Sequence, residues 1–424
     1  MKFIFTLSFA SLFTLSGLAQ TADGCDGFRY FYDVFDEVEK TTVQYGANVN
    51  VLGQNQPLYM DVYTPAGDQA DHRPVIIWAF GGGFILGSRE DVADACIGFA
   101  RKGYVAAAID YRLYSIFLGV PDSLTVIDVV TKAMHDMKAS VRYFRQDAAT
   151  TNTFRVDTNR MLVAGVSAGA ITALHTAYLD ADDDIPLYFQ DVLDDNGGLE
   201  GSSGDAANLS YSSEVDFVVS LSGGLYKKEW MNAEEPPLVS IHGTADEVVP
   251  YEHGTAVVPI NGQTYELVSL DGSALLHARA DDLGIDNYLV SVPGGGHEDT
   301  YFDPQFEIYR DDFAVNGTFF VYERLCPDIP LLPLASTEVT LDAELLLFPN
   351  PASDHFVIDA GRIEETFTLE IVDAFGRTLQ RWENIQGSAT IYPQGLESGL
   401  YFAVCRFEDP ALPAVTKRLV WQKP

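Results

Sequence analysis

The sequence predicts an α/β protein followed by a small all-β domain, and two patterns along the chain support this prediction. Over the first three quarters, short apolar runs alternate with segments of helical periodicity, which is typical of βαβ units and a mostly parallel sheet. After a proline-rich stretch that begins at Cys326, only short strand-like runs and turns remain. We therefore predict an α/β domain at 20–326, a proline-rich linker at 327–339 and a β-sandwich at 340–424.

Hydrophobic periodicity places the elements of the α/β domain. An alternating run at 58–63 predicts a half-buried strand, and continuous apolar runs predict strands covered on both faces. Buried strands are expected at 74–80, 104–109, 160–163, 215–220, 237–241 and 288–292, and helices at 96–100, 122–147, 171–179 and 306–324. Residues 180–213 are rich in Gly, Asp and Asn, which predicts a surface loop, with a lid over the site as the functional alternative.

Turn residues divide the C-terminal region into strands without intervening helices. The turns include Pro-Asn-Pro at 349–351 and Ser-Gly at 398–399. Strands are expected at 344–348, 355–358, 366–372, 378–382, 389–392, 401–406 and 417–421. Seven short strands in about 85 residues are typical of a sandwich.

Composition narrows the classes of partner and the compartment. The formal net charge of −35 argues against nucleic acid and anionic membrane surfaces, which would repel the chain. Lys2 precedes an apolar run at 3–18, and small residues stand before Gln20, so we predict a signal peptide at 1–19 and a secreted or cell-surface protein that passes through the periplasm. The alternative is a membrane anchor, for which the run is short and interrupted by Ser and Thr.

Four cysteines, Cys25, Cys96, Cys326 and Cys405, are open to oxidation in an exported protein. Three of them fall in the first domain, so one pair and one leftover thiol are expected, with the pairing open. None belongs to a Cys-x-x-Cys pair, and we expect no zinc site.

The segment Gly-Val-Ser-Ala-Gly at 165–169 carries the candidate nucleophile, Ser167. It stands between a predicted strand and a predicted helix, the context in which a Gly-x-Ser-x-Gly turn exposes the serine hydroxyl. The amide of Ala168 then lies at a helix N-terminus, where it can bind an oxyanion. The alternative is a glycine-rich turn with a solvated serine, so the motif needs partners elsewhere in the chain.

Three further loops follow buried strands and supply those partners. Glycines at 81–83 come directly after the strand ending at Phe80, where unhindered amides suit an oxyanion hole; a merely flexible glycine turn is the alternative. Asp246 follows the strand ending at 241, with the adjacent Glu247 as a rival acid. His297 follows the strand ending at 292 and a run of three glycines. The order Ser, Asp, His is the one that this architecture uses.

Over about 45–324, these motifs together resemble the α/β-hydrolases of the carboxylesterase and lipase type. The resemblance implies Ser167 as nucleophile, His297 as base, Asp246 as orienting acid, and the amides of Gly82, Gly83 and Ala168 as the oxyanion hole. It also implies no cofactor and no metal.

One residue departs from the pattern of that family, and two other polar features receive structural interpretations. Such esterases usually carry His before the three glycines, where this chain has Phe80, which puts the rigidity of the loop in question. We interpret His242, at the end of its strand, as a structural histidine. The acidic run at 180–184 is interpreted as a solvated face, since it lacks the ligand spacing of a calcium loop.

The C-terminal sandwich resembles the sorting domain of cargo for the type IX secretion system. The matching segments lie at 348–352, 372–377, 399–402 and 417–420. A carbohydrate-binding module is the alternative. The resemblance implies the secretion machinery as a partner and no catalytic residue in this domain.

Together, these observations predict a secreted serine esterase that acts through an acyl-enzyme on small-molecule or polysaccharide-linked esters. The alternatives are a serine hydrolase similar to prolyl peptidases and an inactive binding protein on the same fold.

Overall fold

The computed structural model describes residues 24–204, 208–260, 263–331, 345–360, 366–373, 377–407 and 414–423. The chain divides into two compact units, Met1–Pro330 and Leu331–Pro424. The predicted signal peptide at 1–19 and residues 332–339 of the predicted linker lie outside the described residues. None of the described helices is both long and apolar enough to cross a membrane.

The first unit contains a large sheet with helices packed against it. The described strands of this unit, in the large sheet and in a smaller one, are β1 (Val38–Val49), β2 (Asn55–Pro65), β3 (Arg73–Ala79), β4 (Val105–Ile109), β5 (Val156–Val166), β6 (Phe217–Leu221), β7 (Gly224–Leu225), β8 (Leu238–Gly243), β9 (His253–Ile260), β10 (Gln263–Gly272) and β11 (Asn287–Val292). Its α-helices are α1 (Ala93–Arg101), α2 (Ser123–Ala149), α3 (Ala168–Tyr178), α4 (Leu187–Asp195), α5 (Ser273–Leu283), α6 (Asp299–Phe302), α7 (Glu307–Asp312) and α8 (Thr318–Leu325).

The large sheet has the strand order β1-β2-β4-β3-β5-β6-β8-β11. Pairing is parallel from β4 through β11 and antiparallel for β1 with β2 and β2 with β4. Every residue of β3 and β4 is buried, as expected of central strands covered on both faces. The predicted α/β class is confirmed, and the carboxyl ends of β3, β5, β8 and β11 all lie at one edge of the sheet.

Several features of the first unit differ from the sequence prediction. Strand β1 was not predicted, because its sequence is polar and half exposed, as suits the edge of a sheet. The hairpin of β9 and β10 was also missed, although an Asn-Gly pair at 261–262 is a strong hairpin signal. The single helix expected at 306–324 is instead α7 and α8, with a π-helical turn at Phe313–Gly317 between them.

The segment at 180–213 is partly helical rather than an irregular loop. It contains α4, whose Phe189 and Leu193 are buried, and a short 3₁₀ turn at Asn208–Ser210. Phe189 packs against the rings of Tyr226 and Trp230. This packing accounts for the helix, since its apolar residues have a partner surface to cover.

A disulfide joins Cys25 to Cys326 and so connects the start of the described chain to the end of α8. Cys96 and Cys405 are free thiols and are buried. The structure thereby selects one of the pairings that the sequence left open.

The described strands of the second unit are β12 (Leu346–Phe348), β13 (Phe356–Asp359), β14 (Phe367–Val372), β15 (Thr378–Ile385), β16 (Ser388–Ile391), β17 (Gly399–Phe407) and β18 (Val415–Trp421). They form two antiparallel sheets with the strand orders β12-β13-β16 and β15-β14-β17-β18. Alternating residues such as Phe356 and Ile358, and Phe367, Leu369 and Ile371, form a shared buried core. The predicted all-β class of this region is confirmed.

Candidate active site

Ser167 lies in the tight turn between β5 and α3. Its backbone has φ 53° and ψ −117°, a conformation that side chains rarely adopt, and its amide donates a hydrogen bond to the carbonyl of Leu221 at 2.8 Å. The turn directs the hydroxyl into a cavity at the carboxyl edge of the sheet. The sharp strand-to-helix turn predicted from the sequence is therefore present.

The two glycines of this turn are required by the close approach of backbone segments. A Cβ on Gly165 would lie 2.1 Å from the carbonyl carbon of Gly169. A Cβ on Gly169 would lie 2.1 Å from the carbonyl oxygen of Ala79, in the neighbouring strand β3. Any side chain at either position would force α3 away from the sheet and displace Ser167.

His297 connects Ser167 to Asp246 through both ring nitrogens. Its Nε2 lies 2.9 Å from the Ser167 Oγ, and its Nδ1 lies 2.7 Å from the Asp246 Oδ2. With the proton on Nδ1, the imidazole donates to the carboxylate and accepts from the serine hydroxyl. This is the arrangement that a serine needs to lose its proton during attack.

The loops that carry the acid and the histidine are held to each other by hydrogen bonds. The amide of Ala245 donates to the carbonyl of Gly295 at 3.0 Å, and the amide of Gly294 donates to the Thr244 Oγ1 at 2.9 Å. A Cβ on Gly243 would lie 2.2 Å from the Gly295 oxygen, so the two backbones are in close contact. The glycine run before His297 is therefore anchored to the loop of Asp246.

Asp246 has a fully buried side chain that accepts hydrogen bonds on both oxygens. Its Oδ1 accepts from the amides of Val248 and Val249, each at 2.9 Å, and its Oδ2 lies near ring nitrogens of His297 and His242. Burial alone raises the pKa of this carboxyl, but the hydrogen bonds from His242 and His297 outweigh burial and hold the pKa of Asp246 well below its usual range. The group is therefore ionised at neutral pH.

The glycine loop at 81–83 turns sharply beside Ser167. Gly82 and Gly83 have φ values of 117° and 61°, and the amides of Ile85 and Leu86 close the turn onto the Gly82 carbonyl. A Cβ on Gly82 would lie 2.1 Å from the Leu86 oxygen, so only glycine fits there. Gly82 and Gly83 line the cavity, and Ala168 opens α3, where the first amides have no acceptor within the helix.

Phe80 anchors the base of this loop by aromatic packing. Its ring stacks on Tyr111 with the centroids 4.3 Å apart, and the Tyr111 hydroxyl donates to the Phe80 carbonyl at 2.8 Å. The sequence raised the rigidity of the loop as a question because histidine is usual at this position. The contacts with Tyr111 supply a different support for the loop.

The cavity beside Ser167 has a volume of about 720 Å³ and is mostly apolar. Leu86 and Phe302 stand at its rim with 65% and 79% of their surface exposed. Its lining residues are Gly81, Gly82, Gly83, Leu86, Gly87, Asp91, Val92, Val166, Ser167, Leu221, Val248, Val258, His297, Glu298, Tyr301 and Phe302. Asp91 and Glu298 are acidic, and no lysine or arginine is among these lining residues.

The walls of the cavity differ from those that the sequence indicated. The sequence left a lid over the site, formed by 180–213, as the alternative to a surface loop. Leu86, Asp91 and Val92 line the cavity, whereas none of the described residues of 180–213 does. Val258 of β9, in the hairpin that the sequence prediction missed, also lines the cavity.

The remaining candidates from the sequence occupy other environments. Glu247, the rival acid, is exposed, and the ring of His297 bonds to Asp246. His242 is fully buried and lies at the acid, a contact that its position four residues before Asp246 allows. Within the acidic run, Asp183 accepts from the amide of Asp180. No grouping of His, Cys, Asp or Glu among the described residues has the arrangement to hold a metal ion.

Comparisons with known proteins give two family matches and a set of similar structures. Residues 60–225 match the family model described as BD-FAE, and residues 346–421 match the model described as the secretion system C-terminal sorting domain. Among solved structures, esterase 2 of Thermogutta terrifontis phosphorylated by paraoxon is 22% identical, covering 70% of this chain and 96% of that chain with a TM-score of 0.46. The propionate-bound form is 21% identical at the same coverage, with a TM-score of 0.45.

Proposed function

We propose that this chain, an esterase-type α/β-hydrolase that carries a C-terminal type IX sorting domain, is an exported serine hydrolase of carboxylic esters. The observation that carries the proposal is the continuous hydrogen-bond chain from the Ser167 hydroxyl through His297 to the buried carboxylate of Asp246. Ser167 and His297 line a cavity that the glycine loop also lines. The BD-FAE match over 60–225 supports ester bonds as the target.

The geometry supports acyl transfer in the following order. An ester carbonyl placed in the cavity is attacked by the Ser167 Oγ while its proton passes to the Nε2 of His297. The imidazolium that forms is stabilised by the carboxylate of Asp246, 2.7 Å from Nδ1. His297 then protonates the leaving alcohol, and an acyl-enzyme remains.

The proposed oxyanion hole lies in the glycine loop and at the start of α3. The amides of Gly82, Gly83 and Ala168 are the proposed donors to the tetrahedral oxyanion, because they are preorganised and flank the serine. Water then attacks the acyl-enzyme, with His297 again taking the proton. The acid leaves, and Ser167 is restored without a cofactor.

For the substrate, we propose acyl groups attached to polysaccharides, such as acetyl or feruloyl groups. A sorting domain sends the enzyme out of the cell, where polymers are met. The cavity is open and mostly apolar, with exposed Leu86 and Phe302 at its rim, which suits an acyl group carried on a larger molecule.

The proposed route of the protein begins with a signal peptide at 1–19 and ends with recognition of the tail by the secretion machinery. The sorting-domain match at 346–421 supports the second step. We propose a catalytic domain at 20–326, a linker at 327–339 and a sorting domain at 340–424.

The function is tested by the hydrolysis of nitrophenyl esters of short acids by the purified protein. We expect release of nitrophenol, and a loss of about 10³-fold or more in kcat for Ser167→Ala with unchanged folding by circular dichroism. A loss below tenfold would remove Ser167 from the role of nucleophile. Aminoacyl anilides and acetylated xylan are run in parallel.

Each alternative function gives a different result in this assay. Cleavage of aminoacyl anilides without esters indicates a peptidase similar to prolyl peptidases. No turnover of either class indicates a binding protein. Release of acid from acetylated xylan supports the proposed polymer substrate.

A further inference from the structure

We propose that His242 is a positioning residue that holds the carboxylate of Asp246 in place for His297, an inference that rests on the proposed serine-hydrolase function. The sequence predicts only a structural role for His242 at the end of its strand. Its contacts place it on the acid itself, at the same Oδ2 oxygen that His297 contacts.

The ring of His242 is enclosed completely and has a partner at each nitrogen. It lies in β8 and has no exposed surface. Its Nε2 is 3.2 Å from the Asp246 Oδ2 and 3.1 Å from the carbonyl oxygen of Val249, and its Nδ1 is 2.9 Å from the Ser273 Oγ. Tyr251 packs against the ring edge-on, at 5.5 Å between centroids.

These partners determine which nitrogen carries the proton. A carboxylate oxygen and a carbonyl oxygen both face Nε2, and neither has a proton to give, so Nε2 must be the donor. The Nδ1 then accepts from the hydroxyl of Ser273, which is buried in the first turn of α5. The ring of His242 therefore holds one N–H between two oxygens, the Val249 carbonyl to which it donates and the Asp246 Oδ2 at 3.2 Å.

Asp246 consequently has three hydrogen-bond donors and a fourth N–H, that of His242, in close contact with Oδ2. The amides of Val248 and Val249 hold Oδ1, and the imidazoles of His297 and His242 hold Oδ2. A carboxylate held at both oxygens cannot rotate about its last bond without losing bonds in a buried site. Its plane stays directed at His297 before any substrate arrives, which is the preorganisation that catalysis needs.

The imidazole of His242 also reduces the negative charge on the Asp246 Oδ2 that faces His297. An N–H donated to Oδ2 takes up part of the negative charge of that oxygen. Without it, His297 faces a more basic carboxylate and keeps its proton to a higher pH. The acidic limb of kcat/KM, which reports protonation of the free base, then moves to higher pH.

Few titratable groups face His242, so a shift of the acidic limb of kcat/KM can be assigned to one of them. Among the described residues they are Asp246 and Tyr251 from the loop after β8, His277 from α5, and His297 beyond the carboxylate. Burial lowers the pKa of His277 to about 4, and the pKa of Asp246 lies well below its usual range. Neither group therefore accounts for a shift of the acidic limb to higher pH, which is the change expected from the proposed base, His297.

The experiment compares two buried histidines in the full-length protein. His242→Leu removes the donor at Asp246 and keeps the bulk, whereas His277→Leu is the matched control. His277 is equally buried and bonded on both nitrogens, to Asn287 and Ser240, and makes no hydrogen bond to Asp246. His242→Gln tests rescue, because its amide nitrogen can occupy the position of Nε2.

We expect His242→Leu to lower kcat by about tenfold to a hundredfold, the usual loss when an outer partner of an active-site group is removed. KM changes by less than about twofold, because His242 does not line the cavity. The acidic limb moves to higher pH. His242→Gln restores most of kcat and returns the acidic limb of kcat/KM to the pH at which the unmodified protein shows it. His277→Leu leaves both kcat and the position of the limb unchanged.

The proposal is overturned if the two leucine variants lose kcat equally, or if the limb of His242→Leu stays in place or moves to lower pH. Should His242→Leu not fold, Ser273→Ala replaces it: this change removes the donor to Nδ1, weakens the N–H at Nε2 and shifts the limb upward by a smaller amount. No upward shift in that variant also overturns the proposal.

Failure of the proposed function gives a separate result in the same assay. In that case the unmodified protein turns over no ester, or Ser167→Ala remains active. Both results are independent of His242.

Discussion

Asp246 is buried, yet the pKa of its carboxyl lies well below its usual range and the group stays ionised at neutral pH. Burial opposes the charge, and the hydrogen bonds from two imidazoles and two amides more than compensate for it. Ser167, at the other end of the hydrogen-bond chain, is held in place differently: its backbone has a strained positive φ. At the scale of residues, the site thus combines a fixed charge with a fixed nucleophile.

Asp246→Asn should lower kcat by about 10⁴-fold with little change in stability. An amide NH₂ in place of Oδ2 would force the Nδ1 of His297 to accept, which leaves the proton on Nε2 and removes the base from Ser167. Steady-state kinetics on a nitrophenyl ester measure the loss.

Glu247→Gln is the matched control for that substitution, since Glu247 is adjacent and exposed. Its kcat should remain near that of the unmodified protein. If Glu247→Gln is the damaging change and Asp246→Asn is mild, the acid has been assigned to the wrong residue.

At the scale of elements, the site is assembled from the ends of strands that are distant in sequence. Strands β3, β5, β8 and β11 run parallel, so their following loops meet at one edge of the sheet. The hairpin of β9 and β10 adds a wall from outside that sheet. The loops therefore supply the reactive groups, and the hairpin contributes to the shape of the cavity.

Val258→Phe should lower kcat/KM for long acyl chains about tenfold relative to acetyl esters, because a larger side chain on β9 narrows the cavity. A series of nitrophenyl esters from acetate to octanoate measures the ratio. Thr255→Phe, on an exposed position of the same strand, is the control and should leave the ratio unchanged. Equal effects of both changes would show that Val258 does not limit acyl length.

At the scale of the whole molecule, several buried histidines make stability depend on pH. Burial lowers the pKa of His135 to about 3, and that of His175 and of His277 to about 4 each. The unfolded chain binds these protons below about pH 6.5, whereas the folded chain does not until pH 4 or lower. The free energy of unfolding therefore falls on acidification, and each histidine contributes up to about 1.4 kcal/mol per pH unit.

We expect Tm to fall as the pH is lowered from about 6.5 to 5. Glu235 acts in the opposite direction, because burial raises its pKa to about 7 and the folded state then binds the proton more strongly. The combined effect of the three histidines on the free energy of unfolding exceeds the opposite effect of this single carboxyl. Thermal melts across the range test the slope, which His277→Leu should flatten; a Tm that is constant or rises on acidification contradicts the prediction.

The two compact units lead to a prediction about truncation. Each has its own buried core, and the residues of the proposed site and the Cys25–Cys326 disulfide all belong to the first. Ending the chain after Cys326 should leave ester hydrolysis per molecule unchanged within about twofold. In the native host, the same truncation should retain the enzyme in the periplasm.

Activity in cell fractions measures this outcome. Normal export of the truncated protein would contradict a sorting role for the tail. A selective loss on polymeric esters would instead indicate a carbohydrate-binding module.

The sequence by itself determined the α/β class, the all-β tail and the candidate residues Ser167, Asp246 and His297. These features depend on local signals: apolar runs long enough for a buried strand, glycines where backbones approach, and reactive residues directly after strands. Parallel pairing then brings strand-end loops to one edge, which is a general rule rather than a property of this chain.

Only the tertiary structure decided which walls enclose the cavity, which cysteines pair and what surrounds the acid. Val258 lines the cavity because the hairpin of β9 and β10 brings it against Gly83, and α4 is held by the packing of Phe189 against Trp230. His242 lies four residues from Asp246 in the sequence, yet its proposed role depends on Ser273 in α5, whose hydroxyl hydrogen bonds to the Nδ1 of His242. Such contacts join residues far apart in the chain, and no local pattern encodes them.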